Sequence, residues 1–362
     1  MTGMNACGIE IIRDSQSFDA LREEWTKISA PRILDNPFLS HAWNRVCAAN
    51  GGEGTELNVI VLRDDGGKAQ AIAPLAVETE KAGPFRFRRL CFIGEGVSDY
   101  HDFVARDDDP ALLAALWREA LKGSSRWDRA KLCDFPAASP SLAVLRDLGT
   151  TAEIRRASPC PKMEIPPSWD ELTARLPARL VKDAAYQERR LEREGRLEHR
   201  ELRDEAELPA FLEALFRLHE KRWAGTPTPS KFLKERARRR AGELALAMLK
   251  AGYAAYSTLL LDGKPIAAHF GFSSATTLYY YVPAYDPEYE RLSIGRTLYF
   301  RVLRSALDRG LARFDFLRGG EEYKLRWGGS EANNFEALAW RPGPGAMACA
   351  ALEAYRRLRG PR

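Results

Sequence analysis

Two stretches of the chain alternate apolar and polar positions in the same way. "ELNVIVLRDDGGKAQAIAPLAVE" is β-rich on both sides of Asp-Gly-Gly, and "YAAYSTLLLDGKPIAAHFGFSS" is β-rich on both sides of Asp-Gly. Asp-Gly between such runs is a hairpin signal. Each hairpin is followed by a short strand pattern, at 99–105 and 277–284. An amphipathic helix then follows, at 110–123 and 294–310, and a further strand, at 127–135 and 312–319. The layout is duplicated although the residues are not.

Each half also opens on helical patterns. "SFDALREEWTKIS" and "NPFLSHAWNRVCAAN" precede the first hairpin; "LPAFLEALFRLHEKRWAG" and "PSKFLKERARRRAGELALAMLKAG" precede the second. Prolines crowd 158–167 and break regular structure there. The pattern predicts an α+β (mixed α/β) chain of two tandem domains, each a mixed, mostly antiparallel sheet flanked by helices. The expected bounds are 1–160, 161–345 and a helix and tail over 346–362.

Composition narrows the classes. The chain has 362 residues, of which 45% are hydrophobic and 29% charged. The formal charge of +5 is a small excess of 55 basic over 50 acidic residues, so DNA is not an expected partner. Glutamates interleave with the arginines of "RLVKDAAYQERRLEREGRLEHRELRDE", the pattern of a solvated helix face rather than an RNA groove. No run approaches the roughly 20 apolar residues of a spanning helix, and no signal peptide is legible. The cysteines Cys7, Cys47, Cys91, Cys133, Cys160 and Cys349 are scattered and the histidines lie far apart. The expectation is a cytoplasmic protein with reduced thiols and no metal.

The two helix starts differ. A helix N-terminus presents free N–H groups and a positive dipole end, which suits phosphate. The second copy offers "YDPEYERLSIGRTLYF", with Ser293 and Gly295 flanked by Arg291 and Arg296; the first offers "ARDDDPALLAALW", whose aspartates repel a phosphate. The C-terminal copy is expected to bind a phosphorylated ligand and the N-terminal copy to support it.

The succession "PAYDPEYERLSIGRTLYFRVLRSALDRGLARFDFLRGGEEYKLRWG" resembles the CelD-type family of GCN5-related N-acetyltransferases, strongest over 253–329, and "NPFLSHAW" resembles its N-terminal half. The resemblance implies a tandem GNAT-like fold, with an active C-terminal domain and a degenerate N-terminal one. It further implies transfer of an acyl group, usually acetyl, from coenzyme A to a small-molecule or sugar amine. Polysaccharide-synthesis proteins are implied as partners, in cellulose or exopolysaccharide metabolism. By position, Leu292, Ser293, Ile294, Gly295 and Arg296 would hold the pyrophosphate, and the strand around Val282 would offer its edge to pantetheine.

Acyl transfer to an amine needs a route for the amine proton, a donor for the carbonyl oxygen, and a proton for the leaving thiolate. In "FDFLRGG", Asp315 alternates with Phe314 and Phe316, so it lies on a covered strand face. It is the candidate base or amine-orienting acid; the alternative is a structural carboxylate that caps a neighbouring loop or pairs with an arginine. His269, beside Ala267 and Gly271, is a second candidate base, and Tyr323 the candidate acid for the thiolate. Arg318, Lys324 and Tyr281 are candidate substrate contacts. Two other readings stay open. One is a Fem-like transferase fed by aminoacyl-tRNA. The other is a non-catalytic scaffold of a polysaccharide-synthesis complex.

Overall fold

The computed structural model describes residues 8–33, 35–82, 85–122, 126–341 and 343. Cys7, Cys349 and the expected helix and tail at 346–362 lie outside them. The chain forms two compact units: one from residues 1–158 with 333–362, the other from Pro159–Ala332.

The first unit contains β1 (Gly8–Ile12), α1 (Ser15–Ala20), α2 (Arg22–Ile33), α3 (His41–Ala49), β2 (Thr55–Leu57), β3 (Val59–Arg63), β4 (Ala69–Ala73), β5 (Leu75–Ala82), β6 (Phe85–Phe92), β7 (Val104–Ala105), α4 (Pro110–Lys122), β8 (Arg129–Pro136), α5 (Pro140–Asp147) and β9 (Glu153–Pro159). The second contains β10 (Lys162–Glu164), α6 (Trp169–Arg175), α7 (Ala178–Glu194), β11 (Leu197–Glu201), α8 (Leu208–Trp223), α9 (Glu235–Lys250), β12 (Ala254–Leu261), β13 (Lys264–Ser273), β14 (Thr277–Tyr285), α10 (Ile294–Asp308), β15 (Arg313–Asp315) and α11 (Glu322–Arg326). The last strand, β16 (Asn333–Trp340), pairs antiparallel with β8 and so belongs to the first unit. Instead of running to 345, the second unit ends at Ala332. The reason is that residues 333–340 find their hydrogen-bond partners on β8.

In the first unit one sheet runs β1-β3-β4-β7 and another β2-β5-β6-β8-β16-β9. The strand expected at 99–105 contracts to Val104–Ala105. The strand expected after the Asp-Gly-Gly turn divides at Pro74 into β4 and β5, and β6, which pairs with β5, is one that the sequence pattern did not mark. In its core, Leu113, Leu116 and Trp117 of α4 pack against Ile60, Leu62, Phe92 and Phe135.

The second unit holds a single sheet among its described residues, in the order β10-β15-β14-β13-β12-β11. The β12–β13 hairpin closes through Asp262 and Gly263, both with positive φ (48° and 79°). Such a turn matches the right-handed twist of its strands and favours Asp-Gly. Helix α10 lays Leu298, Val302 and Ala306 on Leu259, Leu278 and Phe314. Truncating one such leucine costs about 2–5 kcal/mol, so the helix start is fixed to the sheet by well-packed contacts.

The strand expected at 312–319 contracts to Arg313–Asp315, because Leu317 takes a φ of 59° and turns the chain out of the sheet. As a result β15 pairs in parallel with β14 only at Thr277, Leu278 and Tyr279. Beyond Tyr279, β14 continues to Tyr285, paired among the described residues with β13 alone. The two strands part, and this opening sits beside the start of α10.

Candidate functional site

A cavity of about 350 Å³ lies in the opening, lined by Arg222, Tyr280, Pro283, Tyr285, Glu290, Ser293, Ile294, Gly295, Arg296, Tyr323 and Trp327. Its floor is the parted strand, one wall is the start of α10, and another is α11.

The start of α10 is held from behind. Asp286 is fully buried, accepts from the Glu288 N–H at 3.0 Å and pairs with Lys221 at 2.7 Å. The turn at 287–292 follows, and Ser293 caps the helix with φ 52° and ψ 40°. Left-handed backbone is uncommon for a residue with a Cβ and costs of order 1 kcal/mol. The Ser293 carbonyl accepts from the Arg296 and Thr297 N–H groups at 2.8 and 3.2 Å, and its hydroxyl makes no capping bond. Among the described residues the N–H groups of Ile294 and Gly295 have no protein partner, and both residues line the cavity. Two unsatisfied first-turn donors at the positive end of a 15-residue helix form an anion cradle. Arg296 adds a guanidinium. It lies 3.7 Å from Asp183, and its buried Nε has no hydrogen-bond partner.

The space above Gly295 is already filled. A Cβ there would stand 3.1 Å from Cε1 of Tyr285, so the space above the glycine holds a tyrosine ring. That ring is in turn covered by the Arg222 guanidinium at 4.3 Å, a cation–π contact. Arg222 also donates to the Pro283 carbonyl at 3.2 Å. Proline has no N–H and is tolerated here because the strand edge is open.

Tyr323 projects from α11, edge-on to Trp327 at 4.7 Å. Burial, then Glu321, push its phenol up to about 12, so it stays protonated at neutral pH. Its hydroxyl has no partner among the described residues. A protonated phenol on a cavity wall can donate a proton but cannot serve as a base.

The structure thus gathers Ser293, Ile294, Gly295, Arg296 and Tyr323 at one cavity and leaves the other candidates elsewhere. Leu292 is buried in the core and Val282 contributes backbone to β14. Asp315 is 1% exposed and does not line the cavity. It faces away from Phe314, accepts from the Leu317 N–H at 2.8 Å, and pairs with its cross-strand neighbour Lys162 at 3.3 Å. Of the structural alternative, the bond to the neighbouring loop is present, and a lysine stands where an arginine was expected.

His269 also lies outside the cavity, 1% exposed and stacked on Tyr280 at 4.6 Å. It lines a separate small void with His199 and Ser257, and burial lowers its pKa to about 3. A base must reach the amine, and this imidazole is walled off by Tyr280.

Lys324 is buried, its ammonium held by the Leu317 and Arg318 carbonyls at 3.2 and 2.6 Å and by Glu321 at 2.9 Å. It clamps the loop and offers nothing to a substrate. Arg318 supplies that carbonyl and does not line the cavity. Tyr281 points to the other face of the sheet, against Phe270 and Phe272.

Sequence reasoning took the strand "YYYVPA" for its backbone edge and did not single out Arg222, Tyr285, Glu290 and Trp327, which also line the cavity. The legible signal was "YYYVPAY", where a proline within a strand pattern marks a free edge.

Residues 178–325 match the family model of an acetyltransferase (GNAT) domain. No curated protein matches the chain in sequence. Solved structures share its fold over nearly its whole length. The C-terminal domain of a putative lysylphosphatidylglycerol synthetase from Agrobacterium fabrum aligns at 14% identity, covering 94% of this chain and 97% of that one, with a TM-score of 0.57. FemX aligns at 13% identity over 91% and 96%, also at 0.57. L-PGS from Bacillus licheniformis aligns at 13% identity over 96% and 98%, at 0.54. Residues 178–325 are thus similar to a GNAT acetyltransferase domain, and the chain shares a mixed α/β fold with these structures.

Proposed function

We propose that the protein transfers an acyl group from an acyl-coenzyme A, acetyl-coenzyme A in the simplest case, to an amine. One observation carries this reading: the unpartnered N–H groups of Ile294 and Gly295, with Arg296 beside them, open into the cavity at the parted edge of β14. A pyrophosphate at the helix start would leave the thioester arm to run along that edge. The amine nitrogen attacks the thioester carbon, the C–S bond breaks, and Tyr323 gives its proton to the departing thiolate. Asp315 and His269 lie outside the cavity and Glu290 lines it; the amine proton leaves to Glu290 or to solvent water, solvent returns a proton to Tyr323, and positioning supplies much of the rate. The CelD-type subfamily belongs to the same proposal, and with it an amino-sugar acceptor in cellulose or exopolysaccharide synthesis.

A second reading, an aminoacyl-tRNA donor as in Fem-like transferases, draws support from Pro283. The open edge lacks an N–H there, and Arg222 already holds the carbonyl. An extended pantetheine arm finds fewer backbone partners at this point than a plain strand would give it.

Calorimetry with acetyl-coenzyme A separates the two. The first reading expects binding to the wild-type chain and loss in Gly295→Trp, whose side chain displaces Tyr285 into the cavity. Absence of binding to the wild type, with acylation of an amine from aminoacyl-tRNA, would install the second.

A further inference from the structure

Three charged side chains line the cavity: Arg296, Arg222 and Glu290. Arg296 stands at the start of α10. The other two take no part in holding the donor, and among the described residues neither forms an ion pair. Arg222 lies in the last turn of α8, whose Leu215 and Leu218 are fully buried, so the guanidinium rides on a fixed element. It donates to the Pro283 carbonyl at 3.2 Å and lies over the Tyr285 ring at 4.3 Å. Its remaining N–H groups have no protein partner among the described residues. Arginine presents its donors as a planar fork, so fixing one arm leaves the others aimed together. Tyr285 meets Gly295 by the edge at Cδ1 and Cε1 and Arg222 by its face, which sets the guanidinium apart from the open amides of α10. Burial raises the phenol pKa of Tyr280 and of Tyr323, and the Arg222 charge opposes that rise at both, so the guanidinium is within electrostatic reach of the proposed acid. Glu290 is exposed at the rim, and its carboxylate makes no hydrogen bond among the described residues. A cation with spare donors and a free carboxylate in one cavity complement a molecule that bears both signs.

We infer that the acceptor is an anionic amine, with a carboxylate or phosphate on the Arg222 fork and its ammonium drawn to Glu290 before the nitrogen is deprotonated. The inference rests on the acyl-coenzyme A reading and adds the class of acceptor. A carboxylate and a phosphate offer the fork the same paired oxygens, so either group fits. A neutral amine would close the cavity over guanidinium donors with nothing to accept from them, which costs binding free energy.

The test is steady-state acetyl transfer by the full chain to matched acceptors: glucosamine 6-phosphate against glucosamine reads a phosphate, and alanine against alaninamide reads a carboxylate. Calorimetry follows acetyl-coenzyme A affinity in parallel. Both are repeated on Arg222→Gln and Arg222→Lys, each checked for unchanged thermal unfolding. In the wild type kcat/KM should favour the anionic member of one pair or both by about tenfold or more, the scale of a hydrogen bond between charged groups. In Arg222→Gln that preference should vanish through a rise in KM while acetyl-coenzyme A affinity holds, and Arg222→Lys should restore part of it. Equal use of both members by the wild type, a preference that survives in Arg222→Gln, or transfer to no member of either pair by a chain that binds acetyl-coenzyme A would overturn the inference and leave the acyl-coenzyme A reading standing. Weaker acetyl-coenzyme A binding in Arg222→Gln would assign the guanidinium to the donor and overturn it too. Failure of the wild type to bind acetyl-coenzyme A would remove the reading and the inference together.

Discussion

The chain builds a helix start twice, with opposite electrostatics. In the first unit the turn before α4 holds Asp107 and Asp108 in left-handed backbone (φ 54° and 50°), and the carboxylate of Asp109 accepts from the Ala111 N–H at 2.7 Å. That helix caps itself, and its positive end is answered by the protein's own negative charge. In the second unit Ser293 takes the same left-handed backbone, but no side chain caps α10, and Arg296 reinforces the positive end. Shared architecture fixes where a helix begins; the residues at its first turn decide whether the site is already filled or open to a ligand.

Reversing that difference should break it. Arg296→Asp places a carboxylate at the open start and should weaken acetyl-coenzyme A binding by about 100-fold, the scale of one lost charge-assisted contact plus repulsion. Asp109→Asn in the first unit should leave binding unchanged, as calorimetry on both variants would reveal. A smaller effect is expected from Tyr323→Phe. Its kcat should fall about tenfold while donor affinity holds, at the low end for a general acid because a thiolate leaves readily. An unchanged kcat in steady-state kinetics would take Tyr323 out of the mechanism.

Much of this was legible in the chain. The Asp-Gly hairpin and the amphipathic α10 are local signals, and the structure forms both where the pattern put them. The rest depended on long-range pairing. Nothing near Asn333 announces that β16 returns to β8, since strand partners are chosen by hydrogen bonding across the fold. Asp315 was correctly placed on a covered face, but its neutralising partner Lys162 lies far away in sequence. Lys324 is a substrate-contact candidate in the sequence because its carbonyl ligands come from a turn made by the left-handed Leu317, which no local pattern announces. His269 sits among small neighbours as expected, but Gly271 makes room for the imidazole itself: a Cβ there would lie 2.1 Å from its ring.

That imidazole sharpens the contrast at a finer scale. Burial lowers the pKa of His269 to about 3 and of His219 to about 4, against an ordinary value of 6.5. The unfolded chain therefore binds more protons than the folded one at mildly acidic pH. The stability these neutral imidazoles permit is complete above about 6.5 and is lost as pH falls toward 3. Denaturant titrations at stepped pH should show that decline, with a shallower slope in His269→Gln. An identical slope in the variant would mean that His269 does not control it.

Backbone amide hydrogen exchange with and without acetyl-coenzyme A addresses the central claim most directly. Addition of the donor should slow exchange at Ile294 and Gly295, and leave the amides of Asp109, Ala111, Leu112 and Leu113 at the start of α4 unchanged. Equal protection of both helix starts, or none at Ile294 and Gly295 while the donor is bound, would contradict the account.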